Sequence, residues 1–350
     1  MRKTGNKLLG IGTDPWETAK AAGLKYEVDG GPGINRERTP DGFRYVLDGR
    51  EVRDTETRIR IKSLGLPPAW ERVWISPRSN AHIQAVGYDK RGRKQYRYHP
   101  EWVKLRGLVK FERMSVFGQK LPLIRKKVKN HLQLPGMPRE KVLAIIVNLL
   151  DKTFLRIGNA EYEKDNKTYG LTTLKNDHVK VRKDEINFKF RAKSGKEHAI
   201  SLHDPLLAKL VKRCKELPGF HLFTYIDANG IPRDVCSRDV NQYLKELSGQ
   251  EFTAKDFRTW GGTMTALSEL KAFVEGEATS QSGVKRLLNT CVKKVAERLN
   301  NTVAVCRKYY IHPKVFDWFS DGRLAKYVEK QKRAIRHFSE KHLIEILSTA

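Results

Sequence analysis

The stretch EKVLAIIVNLLDKTFLRIG, Glu140 to Gly158, decides the architecture. Its apolar residues recur so densely that it reads as a helix buried in a core, ending near Gly158. On its amino-terminal side, the segment EWVKLRGLVKFERM after Pro100 already has helical spacing, so a domain boundary near Trp102 with a short linker is expected. On its carboxy-terminal side, three strand candidates separated by polar turns, Tyr169 to Leu174, His178 to Val181 and Ile186 to Arg191, predict a small antiparallel sheet. Helices follow, and Leu324 to Leu347 reads as a solvated terminal helix rich in exposed charge.

Ahead of Trp102 the pattern is that of strands. FRYVLDGREV, within Gly42 to Val52, alternates around an Asp48-Gly49 turn, and Val73 to Pro77 resembles another short strand. HIQAVGYD and RKQYRYH flank Lys90-Arg91-Gly92 and predict a second hairpin over His82 to His99. The expected fold class is α+β. Residues 1–102 form a β-rich domain, and residues 103–350 form a larger, mainly helical domain with a small antiparallel sheet.

A chain of 350 residues accommodates two such domains. With 39% hydrophobic and 31% charged residues and a mean hydropathy of −0.59, it reads as a globular protein with real cores, not a fibrous or membrane-buried one. The net charge of +28 and pI near 9.9 imply a polyanionic partner that offsets self-repulsion. Met1 to Trp102 carries +7 and Val103 to Ala350 carries +21, so both domains are basic, as in a clamp around nucleic acid. Cys214, Cys236, Cys291 and Cys306 lack C-x-x-C spacing and neighbouring paired histidines, so they read as reduced thiols with no zinc site and no disulfide framework. The segment MRKTGNKLLGIGTDPWETAK has no continuous apolar run of the kind a leader needs, and no stretch approaches a membrane span, so an intracellular location is expected. The glycines from Gly30 to Gly33 lack a strand-loop-helix context, and no G-x-x-x-x-G-K-[ST] is present, so nucleotide hydrolysis is not expected.

Phosphodiester transfer without a metal requires a nucleophile, an acid for the leaving oxygen and fixed cations for the charge that develops on the nonbridging oxygens. Candidates are Arg156 in FLRIGNAEY, Lys193 in FRAKSGKEH, Arg258 in AKDFRTW, and Asn301 and Tyr310 in NNTVAVCRKYYIHP. None carries a spacing signal alone. Any single Arg or Lys among 68 reads first as a solvated face or a plain phosphate contact.

Together, FLRIGN, YGLTTLKNDHV, FRAKSGKEH, FTAKDFRTW and NTVAVCRKYYIHP resemble, in that order, the motifs of the bacterial type IB DNA topoisomerases. LPPAWERVWISP and GRKQYRYHP extend the resemblance into the first domain. The resemblance implies that Arg156 and Arg258 are the catalytic arginines, Lys193 the hairpin lysine and Tyr310 the nucleophile. Asn301 stands where viral and eukaryotic members carry histidine and bacterial members asparagine. Register selects Tyr310 over Tyr309, because the family's nucleophile directly precedes Ile-His-Pro and lies nine positions after the Asn or His.

The implied activity is relaxation of supercoiled duplex DNA through a transient 3′-phosphotyrosyl bond, strand swivelling and resealing. It uses no nucleotide, metal or other cofactor, and is expected of a monomer at the cytoplasmic nucleoid. Gln95, Tyr96 and Tyr98 are expected to face the DNA groove, and Tyr162 to orient a phosphate contact; the plainer readings are a polar hairpin arm and core packing. The rivals are a tyrosine recombinase or integrase and a non-catalytic DNA clamp. Recombinases usually carry His in an H-x-x-R motif, whereas this chain has Lys255-Asp256-Phe257-Arg258.

Overall fold

A computed structural model of the chain describes residues 14–274, 280–331 and 338–349. The expectation of no leader therefore falls largely outside the described residues, as does the expectation of helix over residues 332–337. Among the described residues there are thirteen α-helices with small antiparallel sheets, an α+β fold. No helix among them is long and apolar enough to cross a membrane. The chain divides into two compact units, Met1–Arg113 and Met114–Ala350.

In the first unit, α1 (Pro15–Ala21) and α2 (Thr55–Ser63) accompany a six-stranded antiparallel sheet. Its strands are β1 (Ile34–Thr39), β2 (Gly42–Leu47), β3 (Arg50–Glu51), β4 (Glu71–Ile75), β5 (Ile83–Tyr88) and β6 (Lys94–Tyr98), in the order β3-β2-β1-β4-β5-β6. The Asp48-Gly49 turn joins β2 to β3 with φ of +48° and +77°, the left-handed pair that a two-residue hairpin turn requires. Both hairpins expected from the sequence are present. The core comprises Ile34, Ile61, Val73, Ile75 and Ala85, against which Tyr45, Leu47 and Trp70 pack.

The long α3 (Pro100–His131) leads into the second unit. At its centre lies α4 (Arg139–Thr153), where Val142 to Val147, Leu149 and Leu150 are all 2% exposed or less. A helix apolar on every side belongs inside a bundle. It stops at Thr153, five residues before Gly158, because Phe154 takes a left-handed conformation (φ +54°) and frees Leu155 to Gly158 from the helix.

After α5 (Ala160–Asn166) comes the sheet of β7 (Val179–Arg182), β8 (Glu185–Arg191) and β9 (Glu197–His203), in that order and antiparallel. The expectation of a strand over Tyr169 to Leu174 is overturned. That segment forms a short 3-10 turn, Leu171–Thr173, whose backbone hydrogen-bonds to the Arg156 and Ile157 carbonyls. The third strand is instead β9, the return arm of the Lys193 hairpin. Next come α6 (Pro205–Glu216), a two-stranded ribbon of β10 (Thr224–Ile226) and β11 (Pro232–Asp234), and α7 (Ser237–Ser248). The remaining helices are α8 (Ala254–Val274), α9 (Gln281–Arg298), α10 (Val303–Tyr309), α11 (Pro313–Ser320), α12 (Arg323–Lys330) and α13 (Glu340–Ser348). The single solvated helix expected from Leu324 to Leu347 is therefore two helices. Leu343 and Ile346 of α13 are fully buried, and Glu340 accepts hydrogen bonds from Arg125 and from Trp260 of α8.

Candidate active site

Arg156 sits on the extended segment released by Phe154. Its carbonyl accepts from Leu171 N–H at 2.9 Å, and the Ile157 carbonyl from Thr172 N–H at 2.7 Å. The two chains approach so closely that a Cβ on Gly170 would lie 2.4 Å from Gly158 N, which accounts for the glycines in RIGN and YGLTT. Arg258 lies early in α8. The start of that helix is fixed by Asp256, which accepts from Thr253 N–H at 2.7 Å, and by Asn241, which accepts from Ala254 N–H at 3.1 Å. The adjacent pair Gly261-Gly262 leaves room on the helix surface. A Cβ would meet the Phe154 ring at 2.3 Å from the first and the Tyr310 carbonyl oxygen at 2.6 Å from the second.

Three consecutive residues between α9 and α10 gather both guanidiniums. Arg258 Nη2 donates to the Leu299 carbonyl at 2.8 Å, and its Nη1 donates to the Phe154 carbonyl. Arg156 Nη2 donates to the Asn300 carbonyl at 3.2 Å and to Asn301 Oδ1 at 3.1 Å. Among the described residues six buried side-chain polar atoms lack a hydrogen-bond partner, and three of them are Arg156 Nη1, Arg258 Nε and Asn301 Nδ2. All three are N–H donors. Leaving a buried donor unmade costs about 1–3 kcal/mol, and two of these three belong to guanidinium groups.

Tyr310 closes α10, its N–H donating to the Cys306 carbonyl at 2.9 Å. The Ile-His-Pro that follows has local work. Ile311 is fully buried, His312 Nδ1 caps α11 by accepting from Lys314 N–H at 3.1 Å, and Pro313 occupies the first turn. Thr263 of α8 holds this corner, its hydroxyl accepting from His312 N–H at 3.0 Å and lying 3.3 Å from the Tyr310 carbonyl. The Arg258 guanidinium carbon lies 5.2 Å from the Tyr310 ring centroid. Burial raises the Tyr310 phenol, but the charge of Arg258 and its hydrogen bond to the phenol, with Lys255 and Arg156, outweigh it, so the net shift is downward. Phenolate character is thereby favoured. Tyr309 is 41% exposed and carries the Lys308 ammonium 5.3 Å over its own ring.

Burial and the neighbouring Arg258 bring Arg156 down to about 10, and burial lowers Arg258 as well. Lys193 stands at the exposed tip between β8 and β9, beside Ser194 (φ +67°) and Gly195 (φ +74°). It makes no side-chain hydrogen bond or ion pair among the described residues. Arg156, Arg258, Asn301 and Tyr310 thus share one cluster, with Arg258 buried and the other three half-buried, while Lys193 stands on its own hairpin.

Tyr162, on α5, is 51% exposed, so core packing does not explain it. In the first unit, Tyr96 and Tyr98 stack with ring centroids 5.7 Å apart on one face of β6. Tyr96 is exposed, whereas Tyr98 packs on the cluster of Ala19, Leu24 and Trp102. Gln95 donates from Nε2 to Asp89 at 3.1 Å. Three neighbours of the cluster were not among the site residues expected from the sequence. Lys255, one turn before Arg258, helps to lower Tyr310; Phe154 supplies a carbonyl to Arg258; and His198, 7% exposed on β9, is held down to about 4 by burial and by Arg156 and Arg258. Only Lys255 carried a sequence signal, as the residue standing where recombinases have histidine.

A half-buried tyrosine against two guanidiniums and buried N–H donors can supply a nucleophile and fixed positive charge for phosphoryl transfer. Residues 101–338 match the family model described as the catalytic core of eukaryotic DNA topoisomerase I, and residues 42–89 match that of the bacterial DNA topoisomerase IB N-terminal domain. The chain is 32% identical over 285 residues to DNA topoisomerase 1B of Acanthamoeba polyphaga mimivirus, covering 80% of this chain and 85% of that one. It is 26% identical over 267 residues to DNA topoisomerase 1B of Vaccinia virus (strain Copenhagen), with 75% and 79% covered. The chain belongs to the type IB DNA topoisomerases, isomerases that act on duplex DNA.

Proposed function

We propose that this topoisomerase relaxes supercoiled DNA through a covalent 3′-phosphotyrosyl bond at Tyr310, using neither nucleotide nor metal. The observation that carries the reading is the set of unpartnered donors, Arg156 Nη1, Arg258 Nε and Asn301 Nδ2, beside the lowered Tyr310 phenol. In this scheme the DNA phosphate sits among those donors, which take up the charge that builds on the nonbridging oxygens. The Tyr310 Oη–P bond forms as the P–O5′ bond breaks. The phenol proton is lost to water, and the Lys193 ammonium gives its proton to the departing 5′ oxygen. The reverse transfer reseals the strand, so the bond energy stays in the ester and the swivelling duplex draws only on superhelical strain.

The exposed Tyr96 and Tyr162 and the excess basic charge support duplex contacts from both domains, 1–102 and 103–350, acting as a clamp, with a monomer working at the cytoplasmic nucleoid. Gln95 and Tyr98 are read as groove contacts whose first partners are within the protein. Plasmid relaxation tests the scheme. Wild type is expected to relax supercoils with neither ATP nor divalent ion, and Tyr310→Phe to bind DNA but not relax it. Activity that survives in Tyr310→Phe and is lost in Tyr309→Phe would overturn the assignment, and site-dependent strand exchange would favour a recombinase.

A further inference from the structure

Among the described residues the Lys193 side chain makes no hydrogen bond or ion pair, so its place depends on how its hairpin is anchored. Ala192 N–H donates to the Lys196 carbonyl at 2.8 Å, which makes Arg191 and Glu197 the adjacent non-hydrogen-bonded pair. At such a pair both carbonyls point away from the hairpin. On one side the Arg191 carbonyl accepts from Tyr169 N–H at 2.8 Å, and the residues just after Tyr169 hold the Arg156 backbone. On the other side the Glu197 carbonyl accepts from Asn300 Nδ2 at 3.4 Å, and the Asn300 carbonyl holds Arg156 Nη2 at 3.2 Å. The hairpin is thus tied to Arg156 from both flanks.

Asn300 suits this place for a backbone reason. Its φ of +45° lies in the left-handed region, which asparagine tolerates better than most side chains. That turn directs the carbonyl to Arg156 and the amide to β9, while Asn301 joins the donor cluster. Beside the bridge lies an open cleft of about 480 Å3, lined in part by Lys152, Glu197, His198, Arg298 and Asn300. Close packing therefore does not substitute for the amide there.

We propose that Asn300 is a positioning residue that holds the Lys193 hairpin in register with Arg156, through its side-chain amide on the Glu197 carbonyl. The proposal rests on the reading of Lys193 as the general acid. It predicts a defect confined to protonation of the leaving group. A general acid contributes about 10²–10⁴-fold, and misplacing it forfeits part of that.

The test is single-turnover cleavage of two duplexes, one with the natural phosphodiester and one with sulfur replacing the 5′-bridging oxygen, which leaves as a thiolate and needs no proton. Asn300→Gly keeps the left-handed backbone accessible and removes the amide. It is expected to cleave the natural substrate about 10–100-fold more slowly than wild type and the sulfur substrate within about threefold of it. In a Lys193→Ala background it is expected to add no further loss, a non-additivity that general unfolding would not produce. Equal slowing on both substrates, no slowing on either, or full additivity with Lys193→Ala would overturn the proposal. The Lys193→Ala single variant reads the underlying assumption separately: if sulfur does not rescue it, Lys193 is not the acid, whatever Asn300 does.

Discussion

Arg258→Lys keeps the charge and removes the fork, and the structure sets the size of the effect. The side chain is 3% exposed, donates to the Phe154 and Leu299 carbonyls from two nitrogens, and still has Nε turned inward without a partner. One ammonium cannot satisfy both carbonyls and a phosphate oxygen in the geometry that a planar guanidinium presents. Losing one preorganised donor to a transition-state oxyanion costs about 2.7–4 kcal/mol, or roughly 10²–10³ in rate. A carbonyl left unmatched lowers stability by about 1–3 kcal/mol. Single-turnover cleavage of a short duplex between pH 6 and 9, with affinity measured over a salt series, separates these terms. The rate is expected to fall by about 10²–10³. The dependence of log Kd on log salt should be unchanged, because the number of phosphate charges met is the same. The variant keeps the positive charge that does most to lower Tyr310 but loses the guanidinium hydrogen bond to the phenol, so the residual activity should shift only slightly toward alkaline pH. A cleavage rate within about threefold of wild type would refute the claim that fork geometry, rather than charge alone, is what the site uses.

Three further outcomes are expected. Gly262→Ala places a methyl 2.6 Å from the Tyr310 carbonyl oxygen, a backbone atom that cannot swing aside, so cleavage should drop more than about tenfold while DNA affinity in the same assay stays near wild type. His198 has a folded value near 4, below the ordinary imidazole value of 6.5, so its stabilising contribution is present above pH 6.5 and is lost as pH falls toward 4. His198→Gln should therefore remove about 2 kcal/mol of the stability difference between pH 7 and pH 5 in denaturant titrations, leaving the part due to His82, His178 and His312, which burial also lowers. Arg125 brackets Asp151 at 2.6 Å and Glu340 at 2.6 Å while 43% of its side chain stays exposed, so Arg125→Ala should cost only about 1–2 kcal/mol, read as a fall in Tm that shrinks in high salt.

Much of this molecule was legible in its sequence because the decisive signals are local. The density of apolar residues from Val142 to Leu150 marks a buried helix whatever packs on it, and Asp48-Gly49 dictates its turn by backbone conformation alone. The segment from Tyr169 to Leu174 misled because its β-branched and aromatic residues suit a strand, while its backbone bonds are split among Arg191, Arg156, Ile157 and Leu222, with no one partner strand to make a ladder. The end of α4 misled because a left-handed Phe154 cannot be read from composition; it depends on Gly261 admitting the ring and on Arg258 taking the carbonyl. Of the cluster, Arg156, Arg258, Asn301 and Tyr310 were named through motif order. Asn300 and His198 were not, because they act through a backbone carbonyl and through burial, which only the folded chain brings to Arg156.

Mapping the trapped adduct shows whether Tyr310 forms the covalent bond to DNA. A radiolabelled duplex is incubated with the protein, the reaction is stopped in denaturant, and the protease-digested adduct is sequenced by mass spectrometry. A single modified tryptic peptide, Tyr309 to Lys314, is expected, with the nucleotide on Tyr310 and the DNA joined through its 3′ phosphate. An adduct on Tyr309, a linkage to the 5′ end, or DNA that is cut with no protein attached would contradict it.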